Sequence, residues 1–167
     1  MADPRLHGDP RASGGGRLEK KWDGSGGHAE QALGRSRGGF GTKIHVAVSG
    51  LGLPTRLILT PGQAADSPQA EALIDGLATE VVVADKGYDS RAVVEAIESR
   101  GAKAVIPSLR NRKIQRPYDR DRYRDRNLVE RFWHKAKQYR RVATRYDKTA
   151  KNFLGFVHVA SIMILLR

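Results

Sequence analysis

Tyr123, Arg126, Glu130 and Lys137 follow one another at intervals of three, four and seven residues. On a helix that turns about 100° per residue, those intervals bring all four side chains into one sector of about 60°. Arg141 projects into the same sector, and His134 lies about 20° beyond its edge. Leu128, Val129, Phe132, Ala136 and Tyr139 fall on the far side, the apolar stripe of a packed helix. One carboxylate is thereby set among cations on the exposed edge of a buried helix. A carboxylate so placed suits a hard metal ion, and its guanidinium and ammonium neighbours suit phosphate oxygens. The same residues also make an ordinary solvated, salt-bridged helix face.

The rest of the chain has to position that helix, read as residues 121–139. Residues 1–39 hold ten of the eighteen glycines and show no apolar periodicity, so they read as a flexible tail, with order beginning near Phe40. Residues 42–48 set Ile44, Val46 and Val48 against Lys43, His45 and Ala47, an alternation that predicts a strand. Ser49-Gly50-Leu51-Gly52-Leu53-Pro54 is a turn, and residues 55–60 return as a second strand. Asp66-Ser67-Pro68 reads as a helix start, with Asp66 as the capping side chain. Val81-Val82-Val83 predicts a strand buried on both faces, and Asp85 stands just past its end. Asp89-Ser90 caps a helix over residues 91–100, and Ala104-Val105-Ile106-Pro107 is another short strand. Residues 108–122 are polar and basic and predict an exposed loop; a last helix begins near Thr149.

Composition narrows the partner. The 167 residues carry a formal net charge of +12, and residues 110–151 alone hold sixteen Lys or Arg against five Asp or Glu. A stripe of that kind is the footprint of a polyanion, most simply nucleic acid. With no cysteine, disulfides and thiolate metal sites are excluded. The first residues lack the apolar stretch of a secretory signal, and residues 153–166 are too short to span a bilayer, so no membrane partner is expected.

The order Tyr123, Arg126, Glu130, Lys137 resembles the signature of bacterial insertion-sequence transposases of the DDE class, in the subgroup carrying this Tyr-Arg-Glu-Lys pattern. The likeness extends through Gly34-Arg35-Ser36-Arg37-Gly38-Gly39-Phe40-Gly41-Thr42-Lys43, Thr60-Pro61-Gly62-Gln63-Ala64, Ala84-Asp85-Lys86-Gly87-Tyr88-Asp89-Ser90 and Arg145-Tyr146-Asp147-Lys148, over about residues 31–167. It implies an α/β fold, a ribonuclease H-like mixed sheet with flanking helices, occupying residues 40–167 as the C-terminal part of a catalytic domain. It further implies Mg²⁺ or Mn²⁺ between carboxylates, with Asp85 as the second acid and Glu130 as the third, both catalytic and both metal ligands. Tyr123, Arg126, Lys137 and Arg141 would then contact DNA, at the element ends and the target. Cleavage and strand transfer in a bacterial cytoplasm, at the nucleoid, is the implied activity. A second copy or a full-length transposase is the implied protein partner. The alternative is a non-catalytic DNA-binding remnant or inhibitor. The family's first aspartate should lie on an apolar strand upstream of Gly34. Asp3, Asp9 and Asp23 are the upstream candidates, and none has a strand pattern around it, so the first strand is expected to be missing. Trp133 is read either as a base-stacking or as a core residue.

Overall fold

The computed structural model describes residue 27 and residues 30–167, a mixed arrangement of strands and helices. These fall into two compact units. One comprises His45–Ile58 and Ala65–Trp133; the other comprises the described residues up to Ile44, with Leu59–Ala64 and His134–Arg167.

The described residues form five strands: β1 (Gly34–Ser36), β2 (Gly39–Val48), β3 (Pro54–Pro61), β4 (Val81–Val83) and β5 (Lys103–Val105). Among the described residues they form two sheets, one ordered β1-β2-β3 and one pairing β4 with β5 in parallel. The α1 helix (Ala70–Ile74) precedes β4 and continues from a 3-10 turn over Ser67–Gln69. Between β4 and β5, α2 (Arg91–Glu98) makes the crossover that a parallel pair requires. Ser90, not Asp89, caps it, its Oγ accepting from the Val93 amide at 3.1 Å. Val93, Val94 and Ile97 turn inward from α2 and join Val82, Ala84 and Leu73 of α1 in the core of the first unit.

Two sequence expectations require correction here. Order starts before Phe40, because β1 pairs antiparallel with β2 through Gly34↔Gly41, Arg35↔Phe40 and Ser36↔Gly39. Gly39 has φ of 109°, which the tight Arg37-Gly38 turn demands and which only glycine adopts without strain. The remainder of the segment read as tail, residues 1–26, 28 and 29, lies outside the described residues. The alternation along β2 is also not half-exposed: Ile44, His45, Val46 and Ala47 are all buried. This strand is covered on both faces, so its polar members are packed rather than solvated.

In the second unit, α5 (Arg140–Ala143) and α6 (Ala150–Leu165) enclose Val142, Phe153, Val157 and Ala160; α3 (Arg120–Tyr123) and α4 (Asn127–Ala136) lie earlier in the chain, in the segment of the signature. Thr149 caps α6 by accepting from Asn152 N–H at 3.3 Å. Two of the quoted motifs meet in this unit. Gly62 N–H donates to the Gly41 carbonyl at 3.1 Å, and a methyl on Gly34 would collide with the Gln63 amide oxygen. Glycine at 34 is therefore a packing requirement, since the Gln63 side chain occupies the space a Cβ would take. Among the described residues no helix is long and apolar enough to cross a membrane.

Candidate functional site

The predicted signature helix is segmented. α3 (Arg120–Tyr123) passes through a 3-10 turn, Arg124–Arg126, into α4 (Asn127–Ala136), which stops one residue before Lys137. Tyr139 is extended, with φ of −84° and ψ of 107°, and opens α5 as a new helix. The single helix over residues 121–139 is thus corrected, and so is the sector that placed Lys137 and Arg141 in line with Glu130. Asp119 starts α3, its Oδ1 accepting from the Asp121 and Arg122 amides at 3.1 and 3.0 Å. Those bonds, the one from Arg122 first, hold its pKa below the ordinary carboxylate value. The inward stripe survives in α4, where Val129, Phe132 and Ala136 are buried. Trp133 is also buried and meets Phe132 edge-on at 5.2 Å, so its place is in the core.

On the outer side, three of the four signature residues touch. Arg126 donates from Nη2 to Glu130 Oε1 at 2.5 Å, and its guanidinium stands 5.8 Å from the Tyr123 ring centre. Glu130 is exposed while Arg126 is about a quarter exposed, so the arginine is the fixed member of the pair. Asp85 comes from a different element. It follows β4 by two residues and caps the 3-10 turn Lys86–Tyr88, its Oδ1 accepting from Gly87 N–H at 2.7 Å. That turn-capping role fixes the direction of the carboxylate.

Both acids act electrostatically on Tyr123. Burial raises the pKa of its phenol, and the negative charges of Asp85 and Glu130 raise it further, against a lowering from Arg126. The charges of two acids 45 residues apart in sequence thus both act on this phenol. The hydroxyl consequently stays protonated and neutral at physiological pH, able to donate a hydrogen bond.

Asp66 departs from its expected role. Its φ and ψ are helical and its side chain makes no cap hydrogen bond. Its carboxylate instead lies 3.7 Å from Nδ1 of the fully buried His45. A methyl on Gly87 would sit 2.9 Å from Asp85 Oδ1 and 3.6 Å from Asp66 Oδ2, so both acids flank one glycine. The Asp-Ser-Pro order that signals a cap hid this placement.

His134 and Lys137 are exposed in the second unit. Arg141 there lies over the Phe156 ring at 4.3 Å and 4.0 Å from Asp147. Arg145 escaped sequence reasoning as a structural residue, because no periodicity marks an arginine in a loop. It donates to the carbonyls of Gln31, Asp147 and Lys148 at 2.8, 3.0 and 3.1 Å and to Thr42 Oγ1.

Residues 12–165 match the family model for the transposase DDE domain. A curated protein of Brucella ovis, named as a putative transposase for insertion sequence element IS6501, is 41% identical over 128 residues, covering 75% of this chain and 98% of that protein. No solved structure matches.

Proposed function

The chain belongs to the DDE transposase family, and from that premise we propose that Asp85 and Glu130 are acids through which it serves DNA transposition, with Tyr123, Arg126, Lys137 and Arg141 on the DNA. The observation that carries the reading is the Arg126 contact that links the Tyr123 ring to Glu130, with the charges of both Asp85 and Glu130 acting on the Tyr123 phenol. The two elements bearing the acids are those that the resemblance names.

Proteins of this family usually depend on a divalent cation. Asp85 and Glu130 offer the oxygen donors that Mg²⁺ or Mn²⁺ favours. Among the described residues, however, no group of three His, Cys, Asp or Glu is arranged to hold a metal ion. The two acids, taken among the described residues, therefore fit one ion that would share its coordination with water and DNA phosphate. When bound, the ion would polarise the phosphodiester and activate the attacking oxygen. The protein's own groups bind and orient. Arg126 holds the Glu130 carboxylate and presents its remaining donors to phosphate, and the protonated Tyr123 donates a hydrogen bond to a phosphate oxygen. Lys137 and Arg141 add cations that fix register along the backbone.

We read the described strands and helices as belonging to a ribonuclease H-like domain, whose first strand is not among the described residues. A second reading rests on the absence of a three-acid group among the described residues: this chain binds DNA without cutting it, as a remnant or an inhibitor of a full-length transposase. In either reading it works on DNA in a bacterial cytoplasm.

The test is an assay of the purified chain with Mg²⁺ or Mn²⁺ on DNA carrying the element's ends. We expect salt-sensitive binding and no cleavage. Cleavage that Glu130→Gln abolishes would support the two acids and overturn the second reading. Absence of DNA binding would overturn the reading altogether.

A further inference from the structure

Residues 108–117 read Ser-Leu-Arg-Asn-Arg-Lys-Ile-Gln-Arg-Pro, four cations and no acid. A loop of like charges in water is expected to spread; this one is pinned from beneath. Asp89, whose side chain is 0% exposed, accepts from the Leu109 amide at 2.8 Å, from Arg112 Nε at 2.5 Å and from Arg116. The Asp89 carbonyl takes a further bond from Arg112 Nη2 at 3.0 Å. Across the loop, the Gln115 amide donates to the Leu109 and Arg112 carbonyls at 3.0 and 3.1 Å, and Ser108 Oγ accepts from Arg116 N–H at 3.0 Å. Burial alone would push the Asp89 carboxyl up, but the Leu109, Arg112 and Arg116 donors outweigh it and hold its pKa below the ordinary value. The clamp is therefore closed at neutral pH.

On the outer side of the loop the charges are differently placed. Arg112 and Arg116 are committed to Asp89, whereas Arg110 and Lys113 are exposed and make no hydrogen bond or ion pair among the described residues. The same loop carries Ile114, 81% exposed, a stiff β-branched side chain that follows Lys113 and precedes Arg116 in sequence. A scattered surface isoleucine needs no explanation; one mounted on a rigidified cationic loop does. The loop also leads directly into the candidate site, since Tyr118 meets Tyr123 edge-on at 5.4 Å.

We propose that residues 108–117 form a rigid, cation-flanked finger whose exposed apolar side chain, Ile114, enters the base stack of DNA held at the Tyr123–Arg126–Glu130 face. The inference rests on the DNA-binding reading above. Apolar wedges of this kind kink a duplex by partly unstacking one base step, while neighbouring cations hold the phosphates on either side. Arg110 and Lys113 supply the cations here, and the buried Asp89 clamp prevents the loop from folding back when it meets resistance. Because unstacking is the cost of insertion, DNA already unstacked should bind better.

The experiment measures affinity for a matched duplex and for the same duplex with a central mismatch bubble, across a salt series. The protein should bind the bubble roughly tenfold more tightly, the unstacking cost having been met beforehand. Ile114→Ser, at an exposed position that leaves thermal stability unchanged, should remove most of that preference without altering the salt slope. Arg110→Gln with Lys113→Gln should instead lower the slope on both duplexes by about two units and retain the preference. Salt-dependent binding with no bubble preference, or a preference that persists in Ile114→Ser, overturns the finger alone. Loss of salt-dependent binding altogether overturns the DNA reading as well.

Discussion

Arg145→Ala should lower the stability of the protein by about 3 kcal/mol, since hydrogen bonds from a charged donor contribute about 1.5–3 kcal/mol each. Its guanidinium gathers three backbone carbonyls and one hydroxyl, and it packs 5.2 Å from the Phe153 ring centre. Thr42 passes the connection on by donating from Oγ1 to the Ala32 carbonyl at 2.7 Å. One side chain thus fastens the segment before β1, the strand β2, the turn at Asp147 and Lys148, and α6. Part of the loss is recovered by water, because Arg145 is only half-buried and burial already lowers its pKa. The expected loss therefore stays near the contribution of one or two such bonds and does not approach four. Arg145→Lys should recover little, because an ammonium cannot reproduce a fork aimed at several acceptors. Thermal unfolding should show a midpoint lowered by roughly 6–12 °C at this chain length. A loss below about 1 kcal/mol would show that these bonds exchange freely with water.

The second large effect concerns DNA. Replacing Arg126, Lys137 and Arg141 together by alanine should flatten the dependence of log K on log salt by about two to three units, since each neutralised phosphate contributes about 0.9. Affinity at low salt should fall by about one to three orders of magnitude, roughly tenfold for each phosphate no longer neutralised. The three do not contribute alike. Lys137 is exposed and makes no ion pair among the described residues, so its single substitution should deliver a full unit. Arg141 shares its charge with Asp147 and Arg126 with Glu130, so each gives up part of an existing pair on reaching phosphate. A filter-binding or anisotropy salt series on a duplex of arbitrary sequence reads the slope. A slope unchanged in the triple variant would place the DNA elsewhere on the protein, most directly on residues 108–117.

How far the sequence carried is clearest at particular elements. β4 was legible because three consecutive valines have one economical use, and α6 because Thr149 stands before an apolar stretch. β1 was not, since Gly-Arg-Ser has no strand propensity; it pairs because Gly39 permits the turn and Gln63 packs on Gly34. The end of α4 was illegible for the opposite reason. Ala136-Lys137-Gln138 favours continued helix, but propensity is a weak prior, and the buried Val142 of α5 requires the chain to turn. In the site, the spacing of Tyr123, Arg126 and Glu130 survives because it spans only two helical turns, short enough for the 3-10 segment not to disperse it. Asp66 was misread because a capping signal is local, whereas its partner His45 lies twenty-one residues earlier on β2.

Everything proposed for the chemistry depends on Asp85 and Glu130 acting as one centre for a divalent cation at a DNA-bound face. A titration of the protein–DNA complex with Mn²⁺ tests this, followed by electron paramagnetic resonance of the free ion, on the protein and on its Asp85→Asn and Glu130→Gln variants. One tightly held ion per chain is expected, weakened about tenfold or more by either substitution, with DNA binding retained at fixed salt. Mn²⁺ binding that is unchanged in Glu130→Gln, or lost in only one of the two variants, would contradict a shared centre.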